Sequence, residues 1–320
     1  MSELHSIPQL LEQFEAYRNK HPLQGHPESL YAPMEYILSL GGKRLRPVLC
    51  MAACQAFGGE VNRSLSAALG IEVFHNFSLV HDDIMDQAPV RRGQPTVHHR
   101  WDVNTAVLSG DAMLVEAYRL ISDCPTDALP AVLASFNSMA RQLCEGQRLD
   151  MDFEQRDSVT EDEYLAMIEG KTSVLIGCAM EIGALIAGAD AAQAKAMYAF
   201  GLELGLAFQM KDDYLDCFGD PALTGKQSGG DILAGKHTLL AIHARTSAAE
   251  RYASCMLLEG EQRVAMMREL YTECGADRYV LQRSEAYLES ALRDLQNALP
   301  AGEARQELES LALQLVHRDY

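Results

Sequence analysis

The feature that most constrains this chain is the spacing of its apolar residues, which recur every three or four positions and almost nowhere alternate. Leu10, Leu11, Phe14 and Tyr17 share one helical face, as do Leu69, Val73, Phe74, Phe77 and Val80, and later Leu308, Leu311 and Leu315. A half-buried strand needs an apolar side chain at every second position, and such runs are scarce. Glycine and proline punctuate the pattern at Pro22 to Pro27, Gly41-Gly42, Gly58-Gly59, Pro89 to Pro95, Pro125, Gly188 and Gly219 to Gly235. With 320 residues and 48% hydrophobic content the chain can bury a large core, and no linker or composition shift divides it. The expectation is an all-α protein with one domain over residues 1–320.

Charge narrows the function classes. A net charge of -18 with no Lys/Arg run disfavours non-specific binding to nucleic acid or to an anionic membrane. An anionic ligand would need a local cluster of cations or metal ions. The eight cysteines form no CxxC pairs, which reads as reduced thiols in the cytoplasm. The N-terminal MSELHSIPQLLEQFEAY has no basic region ahead of a long apolar run, so a secretory signal is not expected. SVLIGCAMEIGALIAGA, Ser173 to Ala189, is apolar enough for a membrane check, but Glu181 sits at its middle and Gly177, Gly183, Ala184 and Gly188 suit close helix packing. A buried core helix is the expectation there.

Against this background two acidic clusters stand out. LVHDDIMD ends one apolar segment at Asp86 and FQMKDDYLD ends another at Asp216, with their first aspartates 130 residues apart. On a helix Asp82 and Asp86 project from one face, as do Asp212 and Asp216, while Asp83 and Asp213 turn aside. Two carboxylates about 4 Å apart repel by about 4 kcal/mol at an effective dielectric near 20, and helix C-termini also disfavour anions. A cation is therefore expected. Oxygen ligands without His or Cys point to Mg²⁺, which completes its shell with water and phosphate oxygens. One such cluster alone reads as a solvated acidic face; two copies, one followed by Arg91-Arg92-Gly93, read as a site binding a phosphate ester. The cations cluster around glycines: Lys43 and Arg46 in GGKRLRP, Arg91 and Arg92 in a Pro/Gly-flanked loop, then Lys171, Lys226 and Lys236.

Together these residues resemble the trans-isoprenyl diphosphate synthases, the family that includes farnesyl and geranylgeranyl diphosphate synthases. The resemblance runs in order through GGKRLRP, HNFSLVHDDIMD, RRG, SGDAML, GKTS, FQMKDDYLD and GKQSGGDILAGKHT, from about residue 30 to 240. It implies an isoprenoid-synthase helical bundle around a deep central cavity, with the two aspartate motifs facing each other across its mouth, and a homodimer. It implies a trinuclear Mg²⁺ cluster held by Asp82, Asp86 and Asp212, with Asp83 and Asp216 as further metal ligands or as supports behind them. Arg91, Lys171, Lys226 and Lys236 would hold the allylic diphosphate; Lys43, Arg46, His75 and Arg92 would hold isopentenyl diphosphate. Thr172, Gln209 and the Lys171 carbonyl would face the allylic carbocation with oxygen dipoles. The implied reaction is ionisation, head-to-tail condensation and elimination on small-molecule diphosphates, with no protein nucleophile.

The helix before the first motif doubles as a ruler. Ser78, Phe77 and Phe74 precede Asp82 by four, five and eight residues, placing them about 6, 7.5 and 12 Å below it at 1.5 Å per residue. An aromatic residue at the fifth position with a small one at the fourth resembles the geranylgeranyl type, giving a product of twenty carbons; fifteen carbons is the alternative. Phe74 and Phe77 are equally explicable as ordinary core residues. The sequence departs from the family at Leu240, where proline is common, which puts the start of the next helix in doubt. His98-His99 lack the carboxylate or cysteine spacing of a metal site, and a loop or core role is expected. A terpene cyclase would not need GGKRLRP, a non-catalytic helical subunit would have lost part of the aspartate or lysine set, and an acidic binding protein would not gather cations at glycine turns.

Overall fold

The structure is a computed structural model that describes residues 4–220 and 229–318. Its first ten helices are α1 (Ile7–Lys20), α2 (Glu28–Ser39), α3 (Leu45–Ala56), α4 (Leu65–Met85), α5 (Val97–Arg100), α6 (Val103–Ser122), α7 (Leu129–Phe153), α8 (Glu161–Ile168), α9 (Val174–Ala187) and α10 (Ala191–Phe218). Six more follow between Gly230 and Val316. Among the described residues the strands amount to one antiparallel pair, Val90–Arg91 with Gln94–Pro95. The all-α expectation holds. The chain divides into two compact units: Met1–Asn137, Cys178–Met197 and Gly302–Glu307 in the first, Ser138–Gly177, Tyr198–Ala301 and Leu308–Tyr320 in the second.

The first unit is organised by α4, whose Leu69, Ile71, Val73, Phe74, Phe77 and Val80 are all buried. Each fully buried side chain of this kind contributes roughly 1.5–3 kcal/mol. The neighbouring α6 begins at Asp102, whose carboxylate accepts from the Thr105 N–H at 2.9 Å. Gly110 in SGDAML permits close approach to α4, because a Cβ there would stand 2.3 Å from His81 Nε2. Arg44 is buried deep in this unit, donating to Glu72 Oε1 at 2.7 Å, Glu15 Oε1 at 2.9 Å and the Leu38 carbonyl at 2.6 Å. Those three bonds hold it in the left-handed region at φ 47° just before α3.

In the second unit Tyr164, Met210, Leu239, Leu240, Leu270 and Tyr271 form part of a continuous core. Thr160 opens α8 with a reciprocal cap to Glu163. Between α8 and α9 the residues Glu169–Ser173 form a π turn, in which the Val174 N–H donates to the Glu169 carbonyl five residues back. This turn packs backbone to backbone on α7, for a Cβ on Gly146 would stand 2.3 Å from the Lys171 nitrogen. Thr238 caps the helix Leu239–Ser247, so the helix starts at Leu239 and Leu240, where the family commonly has proline, is its second residue. The helical run Glu161–Ala187 is long and apolar enough to cross a membrane, but most of it is buried within the protein. The Cys178–Ala187 part of that run belongs to the first unit, where Glu181 accepts from the Ser135 hydroxyl and burial pushes its carboxyl pKa up.

Candidate active site

In the first unit α4 delivers the first aspartate motif in its last turn. Asp86 caps the helix, its N–H donating to the Asp82 carbonyl at 2.9 Å, which places the two carboxylates one turn apart as their spacing requires. Asp82 is half-buried, Asp86 exposed and Asp83 buried. Arg91 Nε and Nη2 both reach Asp83 Oδ1 at 2.8 Å, and Nη2 lies 3.7 Å from Asp82 Oδ2. Burial raises the Asp83 pKa and Arg91 opposes the rise. Asp83 Oδ2 is buried with no hydrogen-bond partner among the described residues.

The RRG sequence owes its form to the small hairpin. Arg92 and Gly93 make its two-residue turn, both at positive φ of 52° and 74°, the combination that matches the twist of a tight hairpin. Consecutive arginines therefore diverge. Arg91 turns to the aspartates, while Arg92 Nη1 donates to the Gly41 carbonyl. A Cβ on Gly42 would stand 3.1 Å from the Arg92 guanidinium, so the glycine pair of GGKRLRP is where this arginine lies. Arg46 Nη1 approaches His75 Nε2 at 3.3 Å, which requires an unprotonated Nε2 and a proton on Nδ1. Burial and then Arg46 and Arg92 push the His75 pKa well below its ordinary value, leaving the ring neutral. Burial pushes the Arg46 pKa down to about 10, and Arg92 adds to the effect. Two guanidiniums beside a neutral imidazole are poised for an anion, which would relieve their repulsion. Lys43 is exposed on the same glycine loop.

Phe77 and Phe74 lie below, with ring centroids 5.3 Å apart. Phe77 meets His81 edge-on at 4.9 Å and Phe74 meets Phe136 at 5.1 Å. The Ser78 hydroxyl donates to the His75 carbonyl at 2.8 Å. His98 and His99 sit together in α5 with ring centroids 5.0 Å apart.

In the second unit α10 carries Asp212, Asp213 and Asp216. Arg318 Nη2 donates to Asp212 Oδ1 at 2.9 Å while its guanidinium lies 4.2 Å over the Phe208 ring. Asp213 is buried, like Asp83 in the other motif, but its partners differ: the Tyr164 hydroxyl donates to Oδ2 at 2.7 Å and Gln209 Nε2 to Oδ1 at 2.8 Å. Burial, and then the charge of Asp231, pushes the Asp213 pKa up to about 8 against those two donors. Gln209 Oε1 accepts from the Thr172 hydroxyl at 3.0 Å. Asp216 Oδ2 accepts from the Asp231 N–H at 2.9 Å, and its carbonyl accepts from Gly229 at 2.7 Å. Lys171, on the π turn, places Nζ 2.6 Å from Asp150 Oδ2. Lys236 follows the short helix Gly230–Ala234 and donates its N–H to the Asp231 carbonyl. Lys226 lies outside the described residues.

The first unit thus brings together Arg91 with Asp82 and Asp83, and Arg46 with His75 and Arg92. The second brings together Thr172 with Gln209. Sequence reasoning missed Asp150, Tyr164, Arg318 and the Asp213 contacts. Tyr164 carried a signal, lying eight positions before Thr172 on one helical run, and so did the Gln209–Asp213 contact, four positions apart on α10; Asp150 and Arg318 have no periodic relation to the residues they meet.

Within each unit, no three His, Cys, Asp or Glu side chains among the described residues form a closed metal cage. The donor set still suits Mg²⁺, since that ion commonly takes one or two carboxylates and keeps water and phosphate oxygens. Asp82 and Asp212 each lie within 4 Å of an arginine, a cation already drawn to the same oxygen donors, and the unmatched Asp83 Oδ2 leaves acceptor capacity behind Asp82.

A fold that is almost wholly helical among the described residues, with an aspartate motif on an apolar helix in each unit, defines an all-α isoprenoid synthase. The sequence model of the family "Polyprenyl synthetase" matches residues 27–274, and the chain belongs to that family of prenyltransferases. It is 38% identical over 296 residues to a geranylgeranyl pyrophosphate synthase of Geoglobus acetivorans, covering 92% of each chain. It is 40% identical over 276 residues to a geranylgeranyl diphosphate synthase of Methanosarcina mazei, covering 84% of each. A crystal structure of a geranylgeranyl pyrophosphate synthase superposes with a TM-score of 0.94 at 40% identity, over 99% of this chain and 100% of that one.

Proposed function

We propose that this chain condenses isopentenyl diphosphate with allylic diphosphates to give all-trans geranylgeranyl diphosphate, as a single-domain cytoplasmic homodimer. The observation that carries the reading is the guanidinium pair of Arg46 and Arg92 beside neutral His75, close to a carboxylate motif held by Arg91. An anion subsite next to a metal-binding motif fits two diphosphates with different fates. The identity to geranylgeranyl diphosphate synthases supports twenty carbons over fifteen.

Asp82, Asp86 and Asp212 would bind Mg²⁺ directly, with Asp83 and Asp216 as ligands or supports. Asp83 is committed to Arg91 and Asp216 to the Asp231 backbone, which favours the supporting role for both. When bound, the ions would supply charge stabilisation to the departing diphosphate. Arg91, Lys171, Lys226 and Lys236 hold the allylic diphosphate as its carbon–oxygen bond breaks and the electron pair leaves with oxygen. Thr172, Gln209 and the Lys171 carbonyl turn oxygen toward the resulting carbocation, and apolar walls exclude water. Lys43, Arg46, His75 and Arg92 hold isopentenyl diphosphate so that its double bond attacks the cation. A proton then leaves the new chain for the departed diphosphate. Phe77, below Ser78, would end the space for the growing tail, with Phe74 beneath it.

The deciding assay supplies labelled isopentenyl diphosphate with allylic partners of five, ten and fifteen carbons, with and without Mg²⁺. Expected is Mg²⁺-dependent elongation that stops at twenty carbons. No elongation with any partner would refute the reading, and accumulation at fifteen carbons would reassign the product.

A further inference from the structure

The two arginines of GGKRLRP stand two residues apart and meet opposite surroundings. Arg44 is buried and gives every nitrogen of its guanidinium to an acceptor within the protein: Nε to Glu15 Oε1 at 2.9 Å, Nη1 to Glu72 Oε1 at 2.7 Å and Nη2 to the Leu38 carbonyl at 2.6 Å. Arg46 differs. Its Nη1 approaches the His75 ring nitrogen at 3.3 Å, and its buried Nε has no hydrogen-bond partner among the described residues. The first arginine is a tie within the protein; the second has donors to offer a ligand.

Glu72 is the far end of that tie. It too is buried, and its Oε1 also accepts from Asn76 Nδ2 at 3.0 Å, one turn further along α4. Asn76 Nδ2 donates to the Glu72 carbonyl as well, at 2.8 Å, so the carboxylate is steadied from its own helix. Contacts from Arg44 to Glu72 and from Arg46 to His75 therefore make two successive rungs between the start of α3 and the middle of α4. Arg44 also ends a loop in which Gly41, Gly42 and Arg44 have positive φ of 78°, 136° and 47°. Glycine adopts such angles freely, but an arginine does so only where its surroundings hold it. The Arg92 guanidinium lies against Gly42 and donates to the Gly41 carbonyl, so the loop that Arg44 ties down is also the seat of Arg92.

We propose that Arg44 and Glu72 are positioning residues, whose buried ion pair holds the glycine loop so that Lys43, Arg46 and Arg92 converge on isopentenyl diphosphate while neither member of the pair touches it. The proposal rests on the prenyltransferase reading. Charge alone predicts the opposite for Glu72, because a carboxylate beside an anion site repels the anion. Removing that charge should tighten diphosphate binding if Glu72 acts only as a charge, and weaken it if Glu72 holds the loop.

The test uses the full-length protein, with KM measured for each diphosphate and isopentenyl diphosphate binding followed by calorimetry. E72Q and R44Q should each raise the KM for isopentenyl diphosphate about tenfold or more, the scale on which misplaced binding groups act. The KM for the allylic diphosphate should stay within about twofold and kcat at saturation within about threefold, the pattern of lost binding rather than lost chemistry. R44K should do no better than R44Q, since an ammonium does not reproduce the planar fork; restored binding would mean that Arg44 acts as a charge on the ligand and would overturn the proposal. Tighter isopentenyl diphosphate binding in E72Q would overturn it too, as would equal losses toward both substrates. A buried charge left without its partner can unfold a protein. R44Q/E72Q removes both charges and should shift the KM no further than either single variant. E15Q, on half-buried Glu15 of α1 and outside every motif, should shift it in the same direction by about two- to fivefold, as a partly exposed ion pair allows. An unchanged KM in folded E15Q and R44Q/E72Q would overturn the proposal while leaving the wild-type reaction intact. A wild type that neither binds isopentenyl diphosphate nor elongates any partner would instead overturn the prenyltransferase reading.

Discussion

Removing the Phe77 ring is the most quantitative test of the ruler on α4. Phe77 precedes Asp82 by five residues and Phe74 precedes it by eight, so truncation at 77 opens the three-residue interval between them. At 1.5 Å per residue that is about 4.5 Å of depth, close to the span of one further isoprene unit. Phe74 then becomes the new floor, braced edge-on by Phe136 at 5.1 Å. Phe77→Ala should therefore move the main product from twenty to twenty-five carbons and stop there, while Phe74→Ala alone should leave the length unchanged. Truncating a buried phenylalanine destabilises by about 3–5 kcal/mol, and here the contacts with His81 and Phe74 are lost as well. Circular dichroism should confirm a folded variant, with Phe77→Leu as the gentler companion. Labelled products are dephosphorylated and separated by reversed-phase thin-layer chromatography. A folded, active Phe77→Ala enzyme that still stops at twenty carbons would refute the ruler, and elongation well past twenty-five would refute Phe74 as the second floor.

His75 gives a pH signature. Its folded-state pKa lies below the value near 6.5 of an unfolded histidine, so the unfolded chain binds more protons in that window. The associated stability is present above about pH 6.5 and is lost as pH falls below it, by about 1.4 kcal/mol per unit of difference. Thermal melts of His75→Gln should fall less than those of the wild type on acidification from about pH 7 to pH 5; parallel curves would count against a neutral buried imidazole. Arg318→Ala should tighten Mg²⁺ binding up to about fivefold by calorimetry, since a partly exposed ion pair is worth at most about 1 kcal/mol and Arg318 competes for Asp212. Unchanged affinity would show that this arginine does not oppose the metal.

Helical content was legible because apolar spacing acts locally: Leu69, Val73, Phe74, Phe77 and Val80 are all buried on α4. The divergence of Arg91 and Arg92 followed from a Pro/Gly-flanked loop, although the hairpin behind it did not, since its strands are too short to alternate. GGKRLRP was legible as a cationic turn, yet nothing in it distinguishes Arg44, buried against Glu72, from Arg46 beside His75. That difference depends on the left-handed Arg44 backbone and on partners twenty-nine residues or so away in sequence. Aspartate spacing separated Asp83 and Asp213 from their neighbours, as side chains turned from the shared face. It was silent on what each meets there, because Arg91 and Tyr164 come from other elements. Arg318 lies 106 positions from Asp212, beyond the reach of any pattern.

The π turn at Glu169–Ser173 also sets a phase. Each residue of an α-helix advances the azimuth by about 100°, and a turn closed five residues back holds one residue more than an α turn. Tyr164 before it and Val174 after it are consequently out of step by about one residue's rotation. Deleting a single residue between 169 and 173 would remove the surplus and turn everything on one side of the cut through roughly a quarter of a circle. The surplus residue at this turn is therefore an angular spacer, and it allows one helical run to satisfy two facing directions at once.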